Sequence, residues 1–211
     1  MARDTHPLFA RIYARTSLSM ERGIGGHRRT LLAGLSGRVI EVGAGNGLNF
    51  AHYPAGVTCV LAVEPEPLLR TIATGNAGRA TIPIDVVDGT AEHLPADDAS
   101  CDAGIASLVL CTVPDPGAAL TELFRVIKPG GQLRFLEHVR SEHPTARTTQ
   151  RLLDATVWPF FGGGCHCARD TATAIENAGF AIDHLDRLGR TDTGLPFPAS
   201  PQILGTATRP Q

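Results

Sequence analysis

Three glycines at alternate positions, in Glu41-Val42-Gly43-Ala44-Gly45-Asn46-Gly47, close an apolar run and constrain this chain more than any other feature. With no side chain at every second position, backbone can approach a bulky ligand closely. A second apolar run, Val60-Leu61-Ala62-Val63, ends in Glu64, 17 residues beyond Gly47. A carboxylate there can accept hydrogen bonds from two ribose hydroxyls. A strand, a glycine turn, a helix and a strand ending in an acid form a nucleoside-binding unit. The unliganded alternative is a tight strand–helix turn.

The spacing narrows the nucleoside. A dinucleotide fingerprint needs G-x-G-x-x-G, whereas this chain reads G-x-G-x-G with Leu48 in place of the last glycine. Glu41, two residues before the first glycine, would repel a pyrophosphate but can hold a cationic amino-acid end. The arrangement resembles the cofactor site of class I S-adenosylmethionine (SAM) methyltransferases of the type 11 group. That resemblance implies a Rossmann-like α/β fold: a seven-stranded, mainly parallel sheet with an antiparallel last strand and helices on both faces. It implies SAM as cofactor and S-adenosylhomocysteine as product. The cofactor contacts expected are Glu41, Gly43, Ala44, Gly45, Asn49, Glu64, Pro65, Thr90, Ala91, Glu92 and Leu108.

At 211 residues, one domain is the default. A hydrophobic content of 43% and a mean hydropathy of +0.01 suit a soluble globular protein. No apolar stretch approaches the roughly 18–20 residues that cross a bilayer, and no secretory leader opens the chain. A net charge of −2 argues against nucleic acid as the main partner. Residues 1–38 nevertheless carry seven arginines, which suit an organelle leader, a membrane-surface helix or a lid helix whose arginines face water. The last is preferred: residues 1–36 as a lid over the cofactor, with Leu8, Phe9, Ile12 and Tyr13 closing on it, and 37–211 as the catalytic domain. Five cysteines without a leader suggest reduced thiols in a cytoplasm.

Apolar runs alternate with helical patterns, which predicts a mainly parallel sheet. The strands expected are 38–42, 58–63, 83–87, 101–109, 132–139, 180–186 and 203–209, the last two forming a hairpin at the far edge. Helices are expected over 8–34 (one or two, broken near Gly23-Ile24-Gly25-Gly26), 46–52, 65–76, 116–127, 145–158 and 169–178. Lys128-Pro129-Gly130-Gly131 stops the helix before the fifth strand.

Three further segments sharpen the resemblance: Leu108-Val109-Leu110-Cys111-Thr112-Val113, Leu136-Glu137-His138-Val139 and Gly164-Cys165-His166-Cys167-Ala168-Arg169. Together they resemble the methyltransferase-like 7 group, which shows similar L-V-L-C-S-V, M-E-H-V and G-C-N-x-x-R segments and whose human members act as thiol S-methyltransferases. The likeness covers roughly residues 38–185. Three departures stand out: Thr90 where the superfamily often has aspartate, His166 where the group has asparagine, and no hydrophobic N-terminal membrane segment.

His138 is the candidate general base or substrate-orienting group, because imidazole titrates near neutral pH. A histidine bonding backbone at a strand end is the alternative. Glu137 points to the opposite face of a regular strand and reads as structural. The acceptor pocket is expected from Tyr13, Cys111, Trp158, Cys165 and His166. Trp158, Pro159, Phe160 and Phe161 read first as core packing. No metal is expected, since zinc usually takes two separated ligand pairs; Cys165-His166-Cys167 is one, and Cys111 and His138 would have to complete it. The reading is methyl transfer from SAM to a small, fairly apolar thiol or hydroxyl acceptor, by a monomer or homodimer. Its alternatives are a phospholipid N- or quinone C-methyltransferase in peripheral contact with a membrane and a SAM-binding regulator without catalysis.

Overall fold

Val39, Ile40 and Val42, sealed from solvent on both faces, make up half of the first strand, β1 (Gly37–Val42). Such a two-sided apolar run belongs at the centre of a parallel sheet. β1 lies between β2 (Val57–Val63) and β4 (Cys101–Ser107), parallel to both. β3 (Ile84–Val87) lies outside β2, and β5 (Ile127–His138) pairs parallel with β4. β7 (Gln202–Thr208) runs antiparallel to β5 and to the edge strand β6 (Ala181–Leu188). The order is β3-β2-β1-β4-β5-β7-β6. This is the expected seven-stranded sheet with its far-edge hairpin. Strand order reverses between β1 and β4, so the binding crevice lies at their carboxyl ends.

The computed structural model describes residues 7–211, apart from the side chains of 7–9, 18–20 and 22. Leu8 and Phe9 of the expected lid therefore lie outside the described side chains. Helices α1 (Pro7–Leu32) and α2 (Pro67–Ala77) cover one face, where Ile24, Leu31, Leu32 and Ala73 pack on Val39, Ile105 and Leu136. Helices α3 (Pro116–Val126) and α6 (Thr171–Asn177) cover the other, with Leu120, Leu123 and Ile175 in one core with Ile40, Leu133 and Phe135. α4 (Pro144–Asp154), α5 (Trp158–Phe161) and α7 (Arg190–Thr193) complete the chain. Among the described residues no helix is long and apolar enough to cross a membrane.

Four local expectations are corrected. α1 runs unbroken through Gly23-Ile24-Gly25-Gly26. Gly23 serves contact there, because a Cβ would stand 2.1 Å from the Thr193 carbonyl oxygen of α7. No regular helix follows the glycine motif; only a 3-10 turn forms, over Phe50–His52. Gly43, Gly45 and Gly47 all adopt positive φ (62°, 58° and 79°), which breaks a right-handed path. The helix expected over 145–158 ends at Asp154, and α5 follows as a separate turn. Phe160 and Phe161 are 78% and 72% exposed, so they are surface residues rather than core.

Asp102 ties three strands together at their amino ends. Its carboxylate accepts from the Arg38 backbone N–H of β1 (2.7 Å) and from Lys128 Nζ of β5 (2.5 Å). The Lys128 hydrogen bond is the main reason its pKa lies below the usual carboxylate range; the Arg38 N–H adds to it. A depressed folded-state pKa stabilises above the unfolded value of about 3.9 and is lost as pH falls through the folded one. In urea titrations, Asp102→Asn is expected to unfold at a lower midpoint than wild type at pH 6, with the gap closing below about pH 4. The side chain is 39% exposed, so the gap is small. A gap of constant size down to pH 3 would contradict this linkage.

Candidate active site

The glycine bend is held from both sides. A Cβ on Gly43 would stand 2.4 Å from Val109 Cγ2, so only glycine lets the end of β1 approach the segment after β4. Ala44 donates its N–H to the Val63 carbonyl of β2 (3.1 Å). Glu64, 5% exposed, accepts from Gly45 N–H through Oε2 (2.7 Å) and from Glu66 N–H through Oε1 (2.9 Å). Burial raises its pKa, against the two amide bonds. Each oxygen keeps lone-pair capacity beyond its single backbone donor.

Glu41 sits at the floor of the bend, buried. Its carboxylate accepts from Asn49 Nδ2 (2.8 Å) and from the Tyr53 hydroxyl (2.7 Å). Burial pushes its pKa up, and those two bonds and Arg28 oppose the shift. Arg28 of α1, 5% exposed, brings a cation to the same place. Its Nη1 donates to Asn49 Oδ1 (2.9 Å) and to Ser107 Oγ at the end of β4 (3.0 Å), while Nε pairs with Glu21 (3.2 Å). Tyr13, also on α1, lies over Gly45: a Cβ there would be 3.6 Å from Tyr13 Cε1. Burial raises the Tyr13 pKa, with Arg28 opposing.

The remaining expected contacts follow the carboxyl ends of β2, β3 and β4. Arg70 donates to the Glu64 and Pro65 carbonyls (2.8 and 3.0 Å) and to Asp88 (3.1 Å), joining the ends of β2 and β3. Thr90 and His93 form a short bridge around buried Ala91, with Glu92 half-buried. Leu108 follows β4 with φ 59°, rare for a residue with a branched side chain, and donates its N–H to the Leu136 carbonyl (2.7 Å).

Past β4 and β5 lies a compartment of sulfur and imidazole. Glu137, fully buried, accepts three backbone N–H groups, from Val109 (3.0 Å), Leu110 (2.9 Å) and Cys111 (3.1 Å). The structural role expected of it is thus observed. His138 on the facing side of β5 turns Nδ1 to Cys111 Sγ (3.5 Å) and Cys165 Sγ (3.4 Å). Its Nε2 is buried and has no partner among the described residues. The Cys165 hydrogen bond and burial push the Cys111 thiol well up. Trp158 packs on Cys111, Cys165 and Cys167.

His166 and Tyr13 stand apart from that group. His166 donates its backbone N–H to the Cys111 carbonyl (2.7 Å), while its half-exposed ring lies 4.0 Å from Asp154. Arg169 caps the Leu110 carbonyl (2.5 Å). Arg28 and Tyr53 were missed in the sequence. Arg28 left a signal: it interrupts the buried stripe Ile24, Leu31, Leu32, Leu35 at helical spacing.

The chain matches the Methyltransferase domain family over residues 40–135, from within β1 to within β5. Its fold is that of an S-adenosylmethionine-dependent methyltransferase from Mesorhizobium loti (TM-score 0.65, 19% identity, 89% of this chain and 98% of that one). A geranyl diphosphate methyltransferase is similarly close (TM-score 0.67, 14% identity, 87% and 76%). The chain belongs to the class I SAM-dependent methyltransferases, with SAM as methyl donor. Within that class it is 36% identical over 188 residues to Thiol S-methyltransferase TMT1B of Rattus norvegicus, covering 84% of this chain and 74% of the relative. To Thiol S-methyltransferase TMT1A of Homo sapiens it is 37% identical over 159 residues (71% and 63%).

Glu137→Gln keeps the shape of that side chain but turns an NH2 against a backbone donor. One buried N–H left unmatched costs about 2 kcal/mol. For a chain of this size the melting temperature should fall by roughly 4–8 °C. An unchanged melting temperature in calorimetry would show that the three N–H bonds do not hold the segment after β4.

Proposed function

We propose that this protein moves the methyl group of SAM to the sulfur of a small, fairly apolar thiol. The observation that carries the reading is the buried compartment of Cys111, Cys165, Trp158 and His138 at the carboxyl ends of β4 and β5. The carboxylates beside it, Glu137 and Asp154, are spent on backbone. Such walls suit a soft, neutral acceptor and offer nothing to a charged one. The thiol S-methyltransferase relatives support the same acceptor atom.

The residues at the bend fit the cofactor. Glu64 is placed for two ribose hydroxyls, and Gly43, Ala44 and Gly45 for close backbone approach. Glu41 suits the ammonium of the methionyl end, and Arg28 with Asn49 its carboxylate. Thr90, Ala91 and Glu92 line the adenine side, with Pro65 and Leu108 as walls. Tyr13 and Arg28 make α1 the inner face of the lid, which excludes water. Bound SAM supplies a methyl already activated by a cationic sulfur. The chain's own task is alignment of the acceptor and loss of its proton. A thiol ionises near pKa 8.5 and needs little help. His138 serves as the orienting group, through the unpartnered Nε2.

A second reading, acceptor delivery from a membrane surface, is favoured by the exposed Leu152, Val157, Phe160 and Phe161 beside Trp158. One experiment addresses both readings. S-adenosylhomocysteine release is measured with matched small thiols, phenols and amines, with and without anionic vesicles. Turnover is expected with thiols, at least about tenfold faster than with phenols, whose protons are held more tightly. Phenol or amine turnover with silent thiols would overturn the acceptor assignment. Vesicles that leave the rate of an apolar thiol unchanged would remove the membrane reading.

A further inference from the structure

The sequence offers one C-x-C, which Cys111 and His138 would have to complete, and the fold brings both of them to Cys165. Cys111 comes from the segment after β4, His138 from the end of β5 and Cys165 from the loop after α5. Cys111 Sγ, His138 Nδ1 and Cys165 Sγ all lie within 4.8 Å of one another, and all three residues are buried. The two sulfur–nitrogen separations are 3.5 and 3.4 Å. A tetrahedral zinc ion with Zn–S near 2.3 Å and Zn–N near 2.05 Å sets a sulfur–nitrogen edge of about 3.5 Å. The two observed sulfur–nitrogen separations match that edge, and the two sulfurs lie within 4.8 Å of each other.

We propose that Cys111 Sγ, Cys165 Sγ and His138 Nδ1 form a binding site for a thiophilic divalent cation of the zinc class. Two thiolates and one imidazole are soft-to-borderline donors, which select zinc over magnesium or calcium. Cys167 Sγ, 3.7 Å from Cys165 Sγ, stands outside the mutually close set and is not assigned as a ligand. Three protein ligands leave one coordination position for a small exogenous donor, the pattern of an open zinc site. On binding, the metal–sulfur bonds replace two S–H bonds, and both protons pass to solvent. Glu137 holds Cys111 in place through its backbone N–H, so the site rests on a rigid clamp. The inference is independent of the methyl acceptor, because metal uptake is read without SAM or any thiol substrate.

The test uses the full chain, reduced and freed of metal by chelation, then loaded with zinc or cobalt(II) and desalted. One zinc per chain should remain, and cobalt should show thiolate charge-transfer absorption. X-ray absorption on the zinc-loaded wild type should show two sulfur ligands and one imidazole nitrogen. Cys111→Ser and Cys165→Ser should each weaken zinc binding by at least about a hundredfold, the upper end of what outer-shell changes cost. Cys59→Ser, on β2, should bind as wild type does. If a serine variant does not fold, the wild-type absorption spectrum alone decides. Reduced wild type that retains no metal, a zinc shell of oxygen and nitrogen only, or undiminished binding by a folded Cys165→Ser would each overturn the site.

Discussion

The left-handed backbone at Gly43, Gly45 and Gly47 is the constraint on which the site depends. Each glycine sits where a side chain would strain the chain, and Gly43 also sits where one would collide with Val109. The resulting bend brings the ends of β1 and β4 together across the point where strand order reverses. It also presents the Gly45 N–H to Glu64 at the end of β2. One short segment thus positions an acid, a run of bare backbone and the strand end that carries Ser107. The missing helix after the motif follows from the same cause, since three positive φ values leave no right-handed turn to extend.

Around that bend the molecule gives each buried carboxylate its own donors. Glu41 is balanced by Asn49, Tyr53 and Arg28; Glu64 by two backbone donors; Glu137 by three. A buried carboxylate without such donors would be costly and would neutralise. α1 matters here because it brings Arg28 and Tyr13 to the glycine bend from outside the strand–helix repeat. Its Gly23 lets it lie directly on α7. The compartment past β4 and β5 differs in character: sulfur, indole and imidazole, with a clamp of backbone bonds behind.

Local pattern announced most of the sheet. β1, β2 and β4 are mainly apolar runs, and Lys128-Pro129-Gly130-Gly131 follows the end of α3 as expected. Glu41, the glycines and Glu64 were legible because their spacing is short and their chemistry specific. Arg28 was hidden among seven arginines, and only its place in an apolar stripe distinguished it. Cys111, His138 and Cys165 were each legible as site residues, but not their convergence on one another: each is 27 residues from the next, and only the pairing of β4 with β5 brings them together. Phe160 and Phe161 misled because aromatic residues in a run usually enter a core, whereas the four-residue α5 has no second face to bury.

Calorimetric titration of S-adenosylhomocysteine into the full chain, beside Glu64→Ala, tests the central claim most directly. Wild type is predicted to bind one equivalent tightly. Glu64→Ala is predicted to bind at least about a hundredfold more weakly, having lost charge-assisted bonds of about 1.5–3 kcal/mol each to the ribose. No heat from wild type at millimolar ligand, or equal affinity in the two proteins, would contradict the account.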